Sequence, residues 1–387
     1  MDSWVWYSNF VMDIRIPRDD EVRLRTELRK RTDFEAERIK RYLSMPDLSR
    51  APGSPLADMV RRVKALPLFK DFDDIDIPEI VPASVSFDLF NFPADHPARS
   101  KSDTYYVDEE NILRTHDTVF WYYYLNLPHI KERAARGESL GALCYGKVYR
   151  KDEIDRRHMN IFHQMGGWYL VPDAEKTLVL DDLKDALSGI VKSIFGPDIE
   201  YRFNVDTFPY TDPSLEVEVK IGEEWVEILG GGMPKKSVLA TMGLAGYNGW
   251  AFGFGLERLA IISMKLPDIR LLWSEDARVA RQLVLGQPYV QVSKYPPIVR
   301  DISFVVAKDF VPNNYFDLVR DVGGDLVEEV ELIDKYENDE KFGAERMSYA
   351  YRITYRSLDR TLTSSEVDAL HATLEAATSK SFAANVR

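Results

Sequence analysis

Hydrophobic and polar positions divide the chain into stretches of different pattern. Between Asp19 and Arg41, apolar residues recur among charged ones at an irregular helical spacing, which predicts helices. From Phe87 to Arg270 the pattern changes to short apolar runs separated by turns, as in a sheet of short strands. One run, Glu216 to Lys220, alternates as a half-solvated antiparallel strand does. The predicted strands are Leu143–Tyr149, Trp168–Val171, Glu216–Ile221 and Trp225–Leu229, and the predicted helices are Asp181–Ile194 and Leu256–Met264.

A further stretch begins near Tyr295 and contains both patterns in a fixed order. Strand, helix, strand, strand and helix are predicted at 301–306, 313–322, 327–336, 347–355 and 364–379. This order is typical of a ferredoxin-like α+β domain. The predicted architecture is α+β, with a helical extension over residues 1–84, an antiparallel-sheet domain with helices over 85–285 and a ferredoxin-like domain over 286–387.

Composition narrows the class of protein. With 387 residues, 45% of them hydrophobic and 29% charged, the chain is long enough for two or three globular domains. A net charge of −13 argues against a protein that coats nucleic acid indiscriminately. The single cysteine, Cys144, excludes an intramolecular disulfide, argues against a thiolate zinc site and fits a reducing compartment.

The chain carries no run of about 18 apolar residues, so we expect no membrane span. The segment from Met1 to Arg15 lacks the basic and apolar regions of a secretory signal. We expect a cytoplasmic protein, or a mitochondrial matrix protein from which a leader has been removed.

The strongest local motif for chemistry is the segment Gly253 to Arg258. Its glycines bring the backbone close to a ligand, and Arg258 follows where a helix opens. An arginine at that point can neutralise the charge of a triphosphate with a rigid set of donors. Taken alone, the fragment is equally compatible with a packed turn.

A second motif lies upstream, where a strand ends at Arg150 and the next begins near Phe162. A strand, a loop and a returning strand would place the guanidinium beside the aromatic ring, which suits a phosphate and an adenine. Taken alone, the same residues are more typical of a surface hairpin in which Arg150 pairs with Asp152 or Asp155.

Together the two motifs resemble the second and third signature motifs of class II aminoacyl-tRNA synthetases. Within that class the chain is similar to phenylalanyl-tRNA synthetase from about residue 85 to 385. The segments that carry the similarity are Ala94–Arg99, Asp103–Tyr106, Phe162–Gln164, Phe208–Pro213, Gly253–Arg258 and Leu266–Arg270. From Tyr295 to Arg356 the chain resembles the anticodon-binding domain of the single-chain, mitochondrial-type form.

The resemblance implies an enzyme that uses ATP and Mg²⁺ to convert phenylalanine to an aminoacyl-adenylate, and then esterifies the 3′ end of tRNA(Phe). Such a reaction depends on positioning and charge neutralisation more than on proton transfer. By similarity, Arg150 binds the α-phosphate, Phe162 stacks on adenine and Arg258 faces the γ-phosphate. His158 is expected near the outer phosphates. Glu227 is expected near Mg²⁺, with an ordinary strand carboxylate as the alternative.

The resemblance also implies a pocket for the aromatic ring of the amino acid. Phe208 and Tyr210 would form its walls, and the small side chain of Ala251 would leave room at its floor. The family usually carries phenylalanine where this chain has Tyr210.

Around the amino-acid head group the chain departs from the family. The family's His-Thr-Ser-x-x-Gln corresponds to a segment in which His116 is retained, Thr118 can replace the serine and Trp121 stands in the glutamine position. Gln164 is retained, but the glutamate that usually follows two residues later is Gly166. Losing two buried acceptors is expected to cost several kcal/mol, on the order of 1–3 for each group.

Asp152 remains as an acid that can bind an ammonium group, so phenylalanine is the substrate we expect. The alternatives are a paralogue that activates a modified aryl amino acid or an aryl acid, and a non-catalytic RNA-binding descendant. The resemblance further implies a monomer, and from the length of the chain we expect no editing domain.

Arg352, Arg356 and Arg360 are candidates for binding tRNA in the C-terminal region. Their spacing could line one face of a strand and its exit, where Tyr351 and Tyr355 could stack on anticodon bases. The alternative is a solvated strand face with cross-strand ion pairs.

Overall fold

The computed structural model describes residues 11–151 and 155–387. The chain divides into two compact units, Met1–Tyr289 and Val290–Arg387. Among the helices of the described ranges, none combines the length and the apolar character that a membrane span requires.

The first unit is built around one large sheet. The strands of this unit are β1 (Asp13–Arg15), β2 (Asp73–Asp76), β3 (Ile80–Pro82), β4 (Asn111–Leu113), β5 (Leu140–Tyr149), β6 (Ile161–Pro172), β7 (Tyr201–Asp206), β8 (Thr211–Ile221), β9 (Glu224–Pro234) and β10 (Tyr247–Gly255). In the described part of the chain, eight of them form a sheet of order β1-β2-β5-β6-β10-β9-β8-β7. β2 pairs in parallel with both β1 and β5. Each of the remaining neighbouring pairs, in the sheet order β5-β6-β10-β9-β8-β7, is antiparallel.

Helices cover this sheet and close its edge. They are α1 (Asp19–Lys30), α2 (Phe34–Ser44), α3 (Pro55–Lys64), α4 (Ala83–Phe87), α5 (Phe120–Leu125), α6 (Pro128–Ala135), α7 (Leu180–Phe195), α8 (Lys236–Thr241), α9 (Leu256–Met264) and α10 (Ala277–Ala280). α7 has the predicted amphipathic pattern, and its buried stripe includes Leu183, Leu187 and Ile190. Leu183 lies against Gly231 of β9, so α7 packs on one face of the sheet and leaves the other for different contacts.

The N-terminal segment is more than a helical extension. The helices predicted between Asp19 and Arg41 are present as α1 and α2. The prediction was wrong in leaving out β1 and β2, which join the edge of the large sheet beside β5. These strands are three and four residues long, so they are too short to show a periodicity of their own.

The second unit confirms the predicted order of elements. It consists of β11 (Ile298–Ala307), α11 (Pro312–Gly323), β12 (Val327–Tyr336), α12 (Asp339–Phe342), β13 (Arg346–Tyr355), α13 (Ser364–Phe382) and β14 (Asn385–Val386). Its antiparallel sheet has the order β12-β13-β11-β14, which is the ferredoxin-like arrangement. α11 and α13 supply Tyr315, Val319 and Leu374 to a core shared with the sheet.

Candidate active site

The strand pair β5 and β6 brings together the first two candidate residues. Arg150 follows β5, Phe162 lies in β6, and the guanidinium carbon is 5.2 Å from the centre of the phenyl ring. The Nε atom of Arg150 donates a hydrogen bond to the carbonyl oxygen of Thr115 at 3.0 Å, which orients the guanidinium. The sequence prediction that this hairpin places Arg150 beside Phe162 is therefore confirmed.

The surface next to Phe162 has a floor made of glycine. Side chains alternate along β6, so Gln164 and Gly166 lie on the same face as Phe162. Gly253 and Gly255 of β10 pair with Gly166 and Gln164, respectively. A β-carbon added at Gly255 would meet no atom within 4 Å. We call Gly166, Gly253 and Gly255 the glycine floor, and it is Gly255 that leaves room for a flat ligand beside Phe162.

Arg258 lies just beyond the glycine floor, in the first turn of α9. Its guanidinium is 3.4 Å from the carboxylate of Glu227 on β9, and both side chains are about half exposed, at 49% and 52%. The pair is therefore open to a ligand that carries both negative charge and a metal ion. No group of three possible metal ligands of the His, Cys, Asp or Glu type occurs among the described residues.

Glu227 fits a Mg²⁺ ion of the kind that arrives with a nucleotide. Mg²⁺ keeps several waters and usually binds one or two protein carboxylates together with substrate phosphates. One half-exposed carboxylate beside Arg258 matches this donor set, whereas an ion held by protein ligands alone would need more of them.

The opposite face of β6 joins the two signature motifs through a buried histidine. His163 is fully buried, and its Nδ1 atom lies 2.6 Å from the carboxylate of Glu257, the residue before Arg258. Its Nε2 atom lies 3.3 Å from Asp47. Burial works to lower the pKa of His163, but the carboxylates of Glu257 and Asp47 outweigh it and raise the pKa to about 9. The N–H of Leu48, 2.9 Å from Nε2, opposes protonation and is also outweighed.

The predicted walls of the ring pocket lie together. The rings of Phe208 and Tyr210 are stacked with centroids 6.2 Å apart, and Phe208 lies over Gly230 of β9. Burial raises the pKa of Tyr210 to about 12, so its hydroxyl keeps its proton. Ala251, the predicted floor, is buried on β10 and pairs with Trp168 of β6.

Trp121 belongs to the aromatic core at the end of this pocket. Its ring lies 4.7 Å from Trp168, 5.5 Å from Phe90 and 6.0 Å from Tyr210, and it is 1% exposed. A tryptophan offers one N–H donor and no acceptor. Trp121 therefore cannot take over the acceptor role of the glutamine that the family usually carries there.

The neighbouring residues of the same turn differ in what they can offer. His116 donates from Nε2 to the carbonyl oxygen of Ser86 at 2.9 Å, and burial lowers its pKa to about 4, so the ring is neutral near pH 7. Its buried Nδ1 atom has no hydrogen-bond partner among the described residues. The Thr118 side chain lies near the hydroxyl of Tyr210, which connects this turn to the ring pocket.

The remaining predicted residues are His158 and Asp152. His158 lies in the loop between β5 and β6, where its Nδ1 atom is 3.0 Å from Asp155. Asp152 lies outside the described residues.

Sequence reasoning missed Asp117 as a site residue. Its N–H donates to the side-chain oxygen of Gln164 at 3.0 Å, and its carboxylate lies over the glycine floor. A β-carbon at Gly166 would overlap its Oδ2 atom, and one at Gly253 would lie 3.5 Å from its Oδ1 atom. The signal available in the sequence was an acid between His116 and Thr118, where the family pattern has threonine.

The three arginines predicted to bind tRNA all make ion pairs within the second unit. Arg352 binds Asp301 with two hydrogen bonds of 2.9 Å. Arg356 lies 2.8 Å from Glu328, and Arg360 lies 2.7 Å from Glu366. The pairs of Arg352 and Arg356 with neighbouring strands are those of the alternative interpretation, whereas Arg360 pairs with α13. Arg352 and Arg360 remain about half exposed, at 45% and 55%.

The expectation that Tyr351 and Tyr355 stack on anticodon bases was wrong. Both rings are buried, at 0% and 1% exposed, and the hydroxyl of Tyr355 is 3.0 Å from His371 of α13. Along β13 they alternate with Arg352 and therefore face the helices.

Comparison with known proteins agrees with both units. A family model described as the tRNA synthetases class II core domain (F) matches residues 42–283. A model described as the ferredoxin-fold anticodon binding domain matches residues 293–387. The predicted fold class is thereby confirmed.

Relatives from several kingdoms align with most of the chain. The chloroplastic/mitochondrial phenylalanine–tRNA ligase of Arabidopsis thaliana is 41% identical over 78% of this chain and 69% of its own length. The mitochondrial enzyme of Mus musculus is 37% identical over 80% of this chain and 74% of its own. The mitochondrial enzyme of Saccharomyces cerevisiae is 32% identical over 78% of this chain and 80% of its own.

These matches show that the chain belongs to the class II aminoacyl-tRNA synthetases, and within them to the phenylalanine–tRNA ligase family. Its large sheet, the glycine floor and the positions of Arg150 and Arg258 agree with this membership. It is an aminoacyl-tRNA ligase.

Proposed function

We propose that this protein charges tRNA(Phe) with phenylalanine in two steps. In the first, a carboxylate oxygen of phenylalanine attacks the α-phosphorus of ATP, and pyrophosphate leaves. In the second, a hydroxyl at the 3′ end of the tRNA attacks the carbonyl carbon, and AMP leaves. The observation that supports this best is the guanidinium of Arg150 at 5.2 Å from the ring of Phe162, together with the open space at Gly255.

Each part of the nucleotide has a matching group in this site. Adenine would stack between Phe162 and the glycine floor, since a flat base needs an aromatic surface and an absence of side chains opposite it. Arg150 would neutralise charge that develops at the α-phosphate, because its fork of donors is already oriented by Thr115. Arg258 would bind the outer phosphates at the start of α9.

Mg²⁺ would be held by Glu227 together with the phosphates. The ion supplies additional positive charge to the polyphosphate when it is bound. Glu227 would keep Arg258 and the metal on the same side of the nucleotide, because its carboxylate lies 3.4 Å from that guanidinium. His158 would approach the outer phosphates from the loop between β5 and β6.

The amino-acid side chain would occupy the pocket beside Phe208 and Tyr210. Its ring would pack on those aromatic walls above Ala251, where a larger residue would fill the space. Gln164 accepts the N–H of Asp117 through its oxygen, so its amide NH₂ group is left to donate to the substrate carboxylate. His116 and Thr118 would complete the wall on the side of α5.

A second candidate function is the activation of an aryl acid or a modified aryl amino acid. The observation in its favour is Trp121, whose buried ring replaces a polar partner of the head group. The two candidates differ in whether the substrate must carry a free amino group on its α-carbon.

ATP–pyrophosphate exchange separates the two functions. The assay would compare phenylalanine with tyrosine, β-phenylalanine and 3-phenylpropionate at equal concentration. We expect exchange with phenylalanine at least about 100-fold above that with 3-phenylpropionate, because a site built to hydrogen-bond an amino group rejects the analogue that lacks it. Exchange with 3-phenylpropionate or β-phenylalanine alone would favour the second function.

The partners and the compartment form part of the same proposal. tRNA would bind through the ferredoxin-fold unit, with Arg352, Arg356 and Arg360 as candidate contacts, and the protein would act as a monomer. The relatives' names support an organelle such as the mitochondrial matrix over the cytoplasm. Imaging of the tagged protein in its own cells, with a matrix marker, tests this location.

A further inference from the structure

Asp117 places a carboxylate in the space that a side chain at position 166 would fill. The residue opens a short turn, Asp117–Val119, that crosses β6 before α5. A β-carbon at Gly166 would overlap its Oδ2 atom. The turn is fixed to the strand because the N–H of Asp117 donates to Gln164 at 3.0 Å.

The carboxylate is buried without a cation in contact. Asp117 is 5% exposed, and no side chain among the described residues donates a hydrogen bond to its oxygens at ordinary geometry. Arg114 and Arg150 act on it only through longer-range attraction, and backbone N–H groups of the turn give limited support. A buried carboxylate in this state is costly unless a ligand supplies the positive charge.

We propose that Asp117 binds the α-ammonium group of the amino acid and so determines that the substrate carries a free amine. This inference rests on the proposed function, because it assigns a residue to the substrate of that reaction. The missing acceptor at position 166 is then supplied by a different element. The glutamate expected on β6 is replaced by an aspartate on the turn that crosses it, and the glycine makes the room.

The neighbours of Asp117 fit an ammonium site. Gln164 accepts the N–H of Asp117 and can bind the substrate carboxylate, and Tyr210 of the aromatic wall is close enough to interact with the charge of Asp117. The carboxylate faces Gly253, where an added β-carbon would lie 3.5 Å from its Oδ1 atom, at the place where the floor meets the ring pocket. An amino acid lying along the floor would thus present its carboxylate toward Arg150 and its ammonium toward Asp117.

Binding of unreactive analogues tests this assignment. Phenylalaninol carries the ammonium and the ring, whereas 3-phenyl-1-propanol carries the ring alone, and neither can form an adenylate. Calorimetry on the full-length protein would give the ratio of their affinities, which we call the amine preference. We expect an amine preference of at least about 100-fold in the natural protein and less than about fivefold in Asp117→Asn and Asp117→Thr.

The same variants should change the Michaelis constant for phenylalanine and leave that for ATP nearly unchanged. In exchange assays, the KM for phenylalanine should rise by about 100-fold in Asp117→Asn, while the KM for ATP stays within about twofold. Asp185→Asn on the exposed face of α7 is the matched control. Thermal melts show whether Asp117→Asn and Asp117→Thr are folded. Asp117→Thr introduces the residue of the family pattern and provides a second variant for the same test.

A pH series distinguishes an ammonium contact from a purely structural role. Burial raises the pKa of Asp117 to about 7, so the amine preference of the natural protein should increase as the pH rises through about 7 and be flat in Asp117→Asn. The charged and titratable groups that face Asp117 are Arg114, Arg150, Tyr210 and Cys144, and burial keeps the last two protonated in this range.

The outcomes separate this inference from the proposed function. If the natural protein shows no exchange with phenylalanine and no binding of phenylalaninol, the proposed function fails. If it binds phenylalaninol strongly and Asp117→Asn and Asp117→Thr keep the same amine preference, Asp117 has no role in binding the amine and the proposed function stands.

Discussion

Three glycines and two arginines account for most of what the nucleotide site can do. Gly255 leaves open space on the sheet near Phe162, Arg150 lies against the ring of Phe162, and Arg258 follows Gly255 in the first turn of α9. Glycine is required at position 255 because a side chain would occupy the space proposed for the nucleotide. The φ angle of Gly255 is −80°, which any residue can adopt.

Gly255→Ala should therefore impair ATP binding without unfolding the protein. The added methyl group meets no protein atom within 4 Å, so it takes space only from a ligand. We expect the KM for ATP in pyrophosphate exchange to rise roughly tenfold, with a melting temperature within about 4 °C of the natural protein. Gly246→Ala is the matched control, since its methyl group also has open space but lies away from the floor. An unchanged KM in Gly255→Ala would contradict the proposed nucleotide position.

Arg150→Lys should not preserve activity, although it preserves charge. Lysine lacks the Nε–H that bonds the Thr115 carbonyl and the flat surface that lies against Phe162. The kcat for exchange should fall by roughly 100-fold, as when one preorganised donor is removed from a transition state. Arg23→Lys on the exposed side of α1 serves as control. If the activity of Arg150→Lys stays within about threefold of that of the natural protein, the reaction does not depend on the guanidinium donors of Arg150.

At the scale of elements, β6 carries a different function on each face. Phe162, Gln164 and Gly166 face the site, while His163 faces the interior and joins β6 to α9 through Glu257. Packing and charge at His163 therefore hold Phe162 and Arg258 in a fixed relation. Because one element serves both purposes, damage to its buried face should be felt in stability as well as in activity.

The His163 contact makes stability depend on pH in a defined direction. The pKa of His163 is raised from 6.5 to about 9 in the folded protein. Its contribution is therefore complete below pH about 6.5 and is lost as the pH rises through about 9, with an upper limit near 3 kcal/mol. Glu257→Gln should lower the free energy of unfolding at pH 7 and flatten its fall between pH 7 and 9.

Urea unfolding across that pH range measures this effect. Glu223→Gln, in the exposed turn between β8 and β9, is the control and should keep the full pH dependence. A natural protein whose stability does not fall between pH 7 and 9 would contradict a charged His163. Asp117, whose pKa is raised to about 7, also lowers stability at the lower edge of this range, so the share due to His163 is the difference between the natural protein and Glu257→Gln.

Long elements could be predicted from the sequence, whereas contacts across elements could not. α7, β13 and the ferredoxin-like order follow from residues whose periodicity extends over ten positions or more. The overlap of Asp117 with position 166 depends on a turn that crosses β6, and no spacing along the chain encodes that crossing. Tyr351 and Tyr355 were misassigned although the signal was present: they alternate in phase with Met347, Tyr349 and Ile353, an apolar series that faces a core.

In the complete protein, the two units carry residues proposed for different steps of the reaction. The sheet of the first unit carries the residues proposed for adenylate formation, and the second carries those proposed for tRNA. Activation and transfer can therefore be perturbed separately, since exchange needs no tRNA and charging needs both units.

Arg352→Ala and Arg360→Ala should affect charging alone. Both arginines are about half exposed, so tRNA phosphates can compete with Asp301 and Glu366 for their guanidinium groups. We expect the KM for tRNA to rise about threefold to tenfold, with pyrophosphate exchange unchanged. Loss of stability should be small, as for other exposed ion pairs. Arg320→Ala on α11 is the control, and an unchanged KM in both variants would remove these residues from the tRNA surface.

Transfer of labelled amino acid to tRNA tests whether this enzyme charges tRNA(Phe) with phenylalanine. The full-length protein would be incubated with ATP, Mg²⁺, tRNA(Phe) and either labelled phenylalanine or labelled 3-phenylpropionate. We expect an ester at the 3′ end of the tRNA with phenylalanine and none with 3-phenylpropionate. Adenylate formation from 3-phenylpropionate with no labelled phenylalanine on the tRNA would contradict it.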